Sequence, residues 1–231
     1  NHKWATRWRA SISTNGTLFD MPGVKDFMEE YGPNLSVGIS IDGCPEVHDR
    51  NRVFKDGSGS MAVILKNWDY YRDWCFRFNN TLSTKSTLNL ESIPYLFESV
   101  KFLHETLGMN EINMNFVMED MGVTQDHLDL LDKELERVKD YVIEHRHELY
   151  LGLFNKDMCL GNTMDSQDNK EGRCGSGSMP ALGINGKIYP CFRYLPHTVC
   201  EGRKDFSVGS VDEGLNAKEN FLAVRSMTRD L

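Results

Sequence analysis

At 231 residues the chain has room for one large domain or two small ones, and a 40% hydrophobic content supports a buried core. Acidic residues outnumber basic ones 34 to 26, and the net charge of −8 argues against nucleic-acid binding as the main function. No apolar run approaches the roughly 20 residues of a membrane span. The opening Asn-His-Lys-Trp-Ala-Thr-Arg holds no apolar export signal, so the expected setting is a reducing cytoplasm. Six cysteines, at 44, 75, 159, 174, 191 and 200, are too sparse for a disulfide scaffold.

In chain order, hydrophobic period and turn residues predict alternating strands and helices over residues 1–155. Trp8 to Thr14 reads as a short strand ending at the turn Asn15-Gly16. Val24 to Tyr31 is an amphipathic helix closed by Gly32-Pro33. Leu35 to Ile41 alternates apolar and polar residues and stops at Asp42-Gly43, as a strand should. Ser60 is the expected N-cap of a helix with Ile64, Trp68 and Tyr71 on one face. A strand is expected through Phe76 to Leu82, then a helix from Ser92 to Leu107 with Gly108 at C′. Ile112 to Val117 is the next strand. The helix from Thr124 carries Leu128, Leu131, Leu135, Val138 and Val142 as its buried stripe. The acidic run Glu134 to Glu144 reads as that helix's solvated face, and His145 and His147, two apart, point to different sides. This alternation implies parallel βαβ units, hence an α/β fold, barrel-like or open.

From about Asn155 the texture changes. Gly161 to Gly177 is polar and glycine-rich, suiting a linker or a cofactor-organised loop. Met179 to Ile184 and Lys187 to Pro190 flank Asn185-Gly186, the strongest short hairpin signal. Two domains are expected, 1–155 and 156–231.

Three groups of residues can carry chemistry. Asn15, in Thr14-Asn15-Gly16-Thr17-Leu18, sits where a strand's carboxyl end presents amides to a catalytic face, and the same residues also suit a plain turn. Ser40, Asp42 and the segment His48-Asp49-Arg50-Asn51-Arg52 gather a hydroxyl, a carboxylate and two guanidinium groups behind another strand. That mix suits a zwitterionic ligand with a ribose, with arginine for its carboxylate. Asp42 and His48 also have plainer readings, as a turn cap and a surface residue. Cys174 and Cys191 flank the hairpin, which returns the chain so that both thiolates approach one metal or cluster. A disulfide, unrelated buried cysteines, and a zinc site with His197 and Cys200 are the alternatives. Cys44 reads as structural. Met109, Met114 and Met118 read as packing, and Glu119-Asp120 as a catalytic-face candidate.

Together, Ser13 to Leu18, Ser36 to Gly43, His48 to Arg52 and Cys174…Gly186-Lys187-Ile188-Tyr189-Pro190-Cys191 resemble radical SAM enzymes that carry a C-terminal SPASM domain. That group includes anaerobic sulfatase-maturating enzymes and peptide maturases. The resemblance implies the C-terminal part of a partial (β/α)6 barrel over 1–155 and the start of a SPASM domain over 156–231. It implies S-adenosylmethionine and [4Fe-4S] clusters as cofactors, and hydrogen abstraction from a peptide or protein substrate by a 5′-deoxyadenosyl radical. A low-potential electron donor such as flavodoxin or ferredoxin is implied as a partner, and neither nucleic acid nor membrane. By motif match Asn15, Ser40, Asp42 and Arg52 bind S-adenosylmethionine, and Cys174 and Cys191 ligate an auxiliary cluster.

Two departures bear on this. The family's Cys-x3-Cys-x2-Cys motif is absent from the six cysteines, so the chain is expected to be an internal fragment unable to cleave S-adenosylmethionine unaided. Phe192 follows Cys191 where sulfatase-maturating enzymes place a catalytic aspartate, which favours another peptide modification over formylglycine formation. No catalytic residue is assigned. A metal-stabilised, non-catalytic binding module is the alternative.

Overall fold

The computed structural model describes residues 9–117, 121–154, 180–196, 205–217 and 219. The chain forms two compact units, Asn1–Cys159 and Leu160–Leu231.

The first unit is α/β. Strand β1 (Ala10–Thr14) is followed by helix α1 (Val24–Tyr31) and strand β2 (Leu35–Ile39). Three short helices then cross over, α2 (Pro45–Asn51), α3 (Met61–Lys66) and α4 (Trp68–Arg77), leading into β3 (Ser83–Leu88). Helix α5 (Leu96–Lys101) precedes β4 (Glu111–Phe116), and the long α6 (Gln125–Glu144) precedes β5 (Tyr150–Leu151). The sheet runs β1-β2-β3-β4-β5 with every neighbouring pair parallel. Strands in simple chain order place each crossover on the same side, because such connections are right-handed.

Burial follows from that winding. Leu35, Val37 and Ile39 of β2, Leu88 of β3 and Ile112 and Met114 of β4 are buried against Met61, Ile64, Trp74 and Leu103 in one core. The alternate residues are polar: Ser11 and Ser13, Ser36, Lys85, Asn113 and Asn115 line a cavity of about 630 Å³ on the other face. A parallel sheet usually buries both faces. Here one face is apolar and the other hydrophilic. Indole and phenol groups tie the helices to this frame: Tyr71 Oη donates to the Val37 carbonyl at 2.6 Å, and Trp74 Nε1 to that of Met28 at 2.9 Å.

Several expected elements are displaced. Where a strand is expected at Phe76 to Leu82, Phe76 and Arg77 close α4 with Phe76 exposed, residues 78–82 form the connection, and the strand itself starts at Ser83. The aromatic run in α4 buries Tyr71, Trp74 and Cys75 at helical spacing, which overrides the strand propensity of its residues. The helix expected from Ser92 to Leu107 is three pieces: a 3₁₀ turn Leu90–Tyr95 containing Pro94, α5, and a π-helical turn Phe102–Thr106. In α6, Leu128 is exposed and Glu134 is buried. Glu134 accepts from the Phe97 amide at 3.0 Å and from Arg137 at 2.5 Å, so the apolar stripe yields one place to a carboxylate that caps α5. Met109 and Met114 are packed in the core, as expected.

The second unit contains a four-stranded antiparallel sheet, β6 (Ala181–Leu182), β7 (Lys187–Tyr189), β8 (Gly209–Ser210) and β9 (Gly214–Leu215). The Asn185-Gly186 turn joins β6 to β7, and Gly186 takes the positive φ of 75° that such turns require. Among the described residues no helix is long and apolar enough to cross a membrane.

Candidate functional site

The carboxyl ends of β1 and β2 are stitched together. Ser40, just past β2, donates its amide to the Thr14 carbonyl at 2.8 Å, which places Asn15 and Ser40 on one edge of the sheet. Gly16 then turns the chain with φ +72°, and a Cβ there would lie 2.9 Å from Ile39 Cγ2. Only glycine fits that close approach. Asn15 is exposed, and its side-chain oxygen accepts from the Thr17 amide at 3.3 Å and hydroxyl at 3.0 Å. This is an Asx turn, the plainer of the two sequence readings.

Beyond Ile39 the β2 chain leaves the ladder, two residues before the predicted strand end, and side chains of β3 take over its backbone. Thr84 Oγ1 accepts from the Ile41 amide at 2.9 Å, and Ser86 Oγ donates to the Ile41 carbonyl at 2.6 Å. These hydroxyls hold Asp42 against the end of β3. Asp42 is buried at 2% exposure and accepts from the Thr87 amide at 3.0 Å. Its other partner is Arg52: Nε donates to Oδ2 at 2.7 Å and Nη2 to Oδ1 at 2.8 Å.

A second chain of bonds closes the loop between these two residues. The Asp42 amide donates to His48 Nδ1 at 3.4 Å, His48 Nε2 meets Ser60 Oγ at 2.9 Å, and Ser60 Oγ donates to the Arg52 carbonyl at 2.8 Å. With Nδ1 accepting, Nε2 carries the proton and His48 is neutral. Burial holds its pKa below the ordinary imidazole value, opposed in part by the Asp42 carboxylate. His48 is thus an internal strut rather than a surface residue. Ser60 is engaged here, and the amide of Met61 at the start of α3 is capped by Asp49 Oδ1 at 2.8 Å instead.

The result is a small cavity of about 360 Å³ lined by Asp42, Asn51, Arg52, Thr87, Asn89 and Val117. It lies past the carboxyl ends of β2, β3 and β4, the edge where barrel and wound-sheet proteins place ligands. The Arg52 side chain is 30% exposed and lines this space, with Nη1 outside its pair with Asp42, whereas both Asp42 oxygens are already engaged. Thr87 and Asn89 were not singled out from sequence. Their signal was polar composition: Ser83-Thr84-Lys85-Ser86-Thr87 carries polar side chains at every position of β3 before Leu88, and Asn89 follows at its carboxyl end.

Cys44 is buried beneath this loop, its amide donating to Ser99 Oγ at 3.2 Å, and burial pushes its thiol pKa up, which agrees with a structural role. Gly43 faces the same serine, and a Cβ on it would lie 2.3 Å from Ser99 Oγ. In the second unit Cys191 is buried at the end of the hairpin and opens a 3₁₀ turn, Phe192–Tyr194, with Phe192 exposed. Cys174, His197, Cys200, Met118 and Glu119-Asp120 lie outside the described residues.

No family model matches the chain. It is 30% identical over 94 residues to a cysteine-type anaerobic sulfatase-maturating enzyme of Clostridium novyi, covering 40% of the chain and 24% of that protein. It is 27% identical over 128 residues to an uncharacterized protein of Synechocystis, covering 53% of the chain and 31% of that protein. Among solved structures, native anSMEcpe with bound AdoMet superposes with a TM-score of 0.63 at 17% identity, over 92% of the chain and 56% of that structure. A histidine-tagged form of anSMEcpe with bound AdoMet gives 0.66 at 15% identity, over 96% and 57%. The chain therefore spans a quarter to a third of these curated relatives and rather more than half of the solved ones. The likeness carried by the motifs is found again in the sulfatase-maturating relative, and the α/β fold with its parallel sheet is shared with the solved structures.

Proposed function

We propose that the chain is part of a radical SAM maturase that holds S-adenosylmethionine at the carboxyl edge of its parallel sheet and modifies a peptide or protein side chain. The observation that carries this reading is the Arg52 guanidinium, fixed by buried Asp42 with its free edge toward the cavity at the strand ends. The donor set fits the cofactor. A guanidinium held flat by one carboxylate retains N–H groups for a second, and the methionine moiety offers such a carboxylate. Arg52 is the binding residue in this arrangement. Asp42 is its positioning residue, Ser40 fixes the strand end, and Asn15 lends an amide from the adjoining turn. When bound beside an iron–sulfur cluster, S-adenosylmethionine supplies a hydrogen-abstracting radical. This chain's own residues orient the cofactor's polar end and keep the polar inner face open to substrate.

Within this reading residues 1–155 are the barrel portion and 156–231 the SPASM region, with Cys174 and Cys191 as ligands of an auxiliary [4Fe-4S] cluster. A solved relative holds AdoMet together with the Kp18Cys peptide, which supports a peptide substrate here. A flavodoxin or ferredoxin is the electron donor this reading requires. Phe192 has no group that accepts a proton, so the modification is a bond-forming reaction such as a thioether cross-link rather than formylglycine formation. The test is anaerobic reconstitution with iron and sulfide, followed by calorimetric titration with S-adenosylmethionine. A brown, sulfide-containing protein whose affinity falls at least about tenfold in Arg52→Gln is expected. A colourless, sulfide-free protein that binds S-adenosylmethionine equally well with and without Arg52 overturns the proposal.

A further inference from the structure

A second polar cluster lies at the opposite edge of the same sheet. His104 sits in the π-helical turn that ends the α5 crossover, just before β4. His145 is the C-cap of α6, and Glu148 follows it just before β5. Both crossovers return to the sheet here, where the Tyr150 amide donates to the Asn110 carbonyl at 2.8 Å. This is the amino end of the strands, remote from the Asp42–Arg52 cavity at their carboxyl ends.

One ring nitrogen of His104, one of His145 and a carboxylate oxygen of Glu148 all lie within 4.8 Å of one another. The two imidazoles meet edge to face with centroids 5.0 Å apart, and His145 Nδ1 is 2.6 Å from Glu148 Oε1. Behind them stands a supporting residue. Tyr141 Oη donates to Glu105 Oε1 at 3.2 Å and so accepts from His104 Nδ1–H at 2.7 Å. That bond fixes the His104 tautomer with the Nε2 lone pair free, the arrangement metal-binding histidines adopt through their outer partners. The π turn matters as well, since a single widened turn re-aims a side chain and such turns gather at functional sites.

We propose that His104, His145 and Glu148 form a divalent transition-metal site, zinc being the fitting class, that clamps the end of the α5 crossover to the end of α6. Two imidazoles and a carboxylate are a familiar three-residue zinc set, leaving a fourth position for water. Tetrahedral zinc at about 2.0–2.2 Å holds its ligand atoms roughly 3.3 Å apart, so small side-chain rotations suffice. The ion takes the place of the proton between His145 Nδ1 and Glu148 Oε1 and bridges the two imidazoles. At the amino end of the strands such a clamp serves stability rather than the chemistry of the other edge. The site is independent of the cysteines and of the proposed activity.

The test uses the whole chain. Zinc is titrated in competition with a chromophoric chelator, and cobalt(II) is then bound for its absorption spectrum. Wild type is expected to bind one equivalent with Kd on the order of 1 μM or tighter, raising Tm by about 5 °C or more at saturating zinc. His104→Gln and the exposed Glu148→Gln lose that equivalent, Tyr141→Phe weakens it by about tenfold, and His147→Gln leaves it intact. The cobalt difference spectrum, wild type minus Glu148→Gln, shows visible d–d bands with no thiolate charge-transfer band. Zinc binding and thermal shift unchanged in Glu148→Gln, or a difference spectrum dominated by thiolate charge transfer, overturns the proposal, whatever the fate of the reconstitution test.

Discussion

Arg52 and Asp42 form a fork-to-fork pair of 2.7 and 2.8 Å in which the carboxylate is buried and the guanidinium is partly open. Asp42 also takes the Thr87 amide, so it joins α2's end to β3. Asp42→Asn keeps the volume but offers a single acceptor and no charge. It is expected to cost about 1–3 kcal/mol in urea unfolding and to weaken S-adenosylmethionine binding about as much as Arg52→Gln. S-adenosylmethionine binding that survives Asp42→Asn unchanged would show that Arg52 needs no positioning.

His48 gives a pH dependence with a definite sign. Its folded pKa lies below the unfolded value near 6.5, because burial disfavours the imidazolium. The unfolded state therefore binds more protons as pH falls below about 6.5, and stability declines from there downward. His104, also lowered by burial and by His145, adds in the same direction. Thermal unfolding between about pH 8 and pH 5 is expected to show this loss, and His48→Gln to flatten part of it.

Gly16 combines φ +72° with a neighbour 2.9 Å from any Cβ. Gly16→Ala is expected to destabilise by about 1–3 kcal/mol, since both the backbone conformation and the packing on Ile39 resist it. Chemical denaturation measures it, and a neutral result would mean that the Asn15 turn is free to shift.

Glu134 is a buried carboxylate in an otherwise solvated acidic helix. Glu134→Ala strands the Phe97 amide and leaves Arg137 paired with Glu98 alone, at an expected cost of about 1–3 kcal/mol, whereas Glu136→Ala on the exposed face stays within about 0.5 kcal/mol. Equal effects at the two positions would contradict the capping role.

Much of this molecule is written locally. Asn15-Gly16 and Asn185-Gly186 each specify a turn because positive φ is available to glycine and few other residues, and the order of motifs from Ser13 to Cys191 carries the likeness to radical SAM maturases. The alternation of strand and helix is likewise a matter of hydrophobic period. Boundaries fared less well: the helical face of Trp68 and Tyr71 was legible from spacing, but Phe76 and Arg77, expected to open a strand, close α4, because the burial of Trp74 and Cys75 keeps the chain helical to that point.

Contacts between distant residues belonged to the tertiary structure. Sequence spacing brings Asp42 and Arg52 into one segment, but their pairing depends on β3, whose Thr84, Ser86 and Thr87 hold the Asp42 backbone and carboxylate in place. Locally His145 has Glu148, three residues on, as a partner, whereas His147 is the wrong neighbour for a second imidazole. Its counterpart is His104, brought alongside because consecutive right-handed crossovers pack side by side on one face of the sheet. A one-dimensional pattern records what each segment prefers; which segments meet is decided by how the sheet winds.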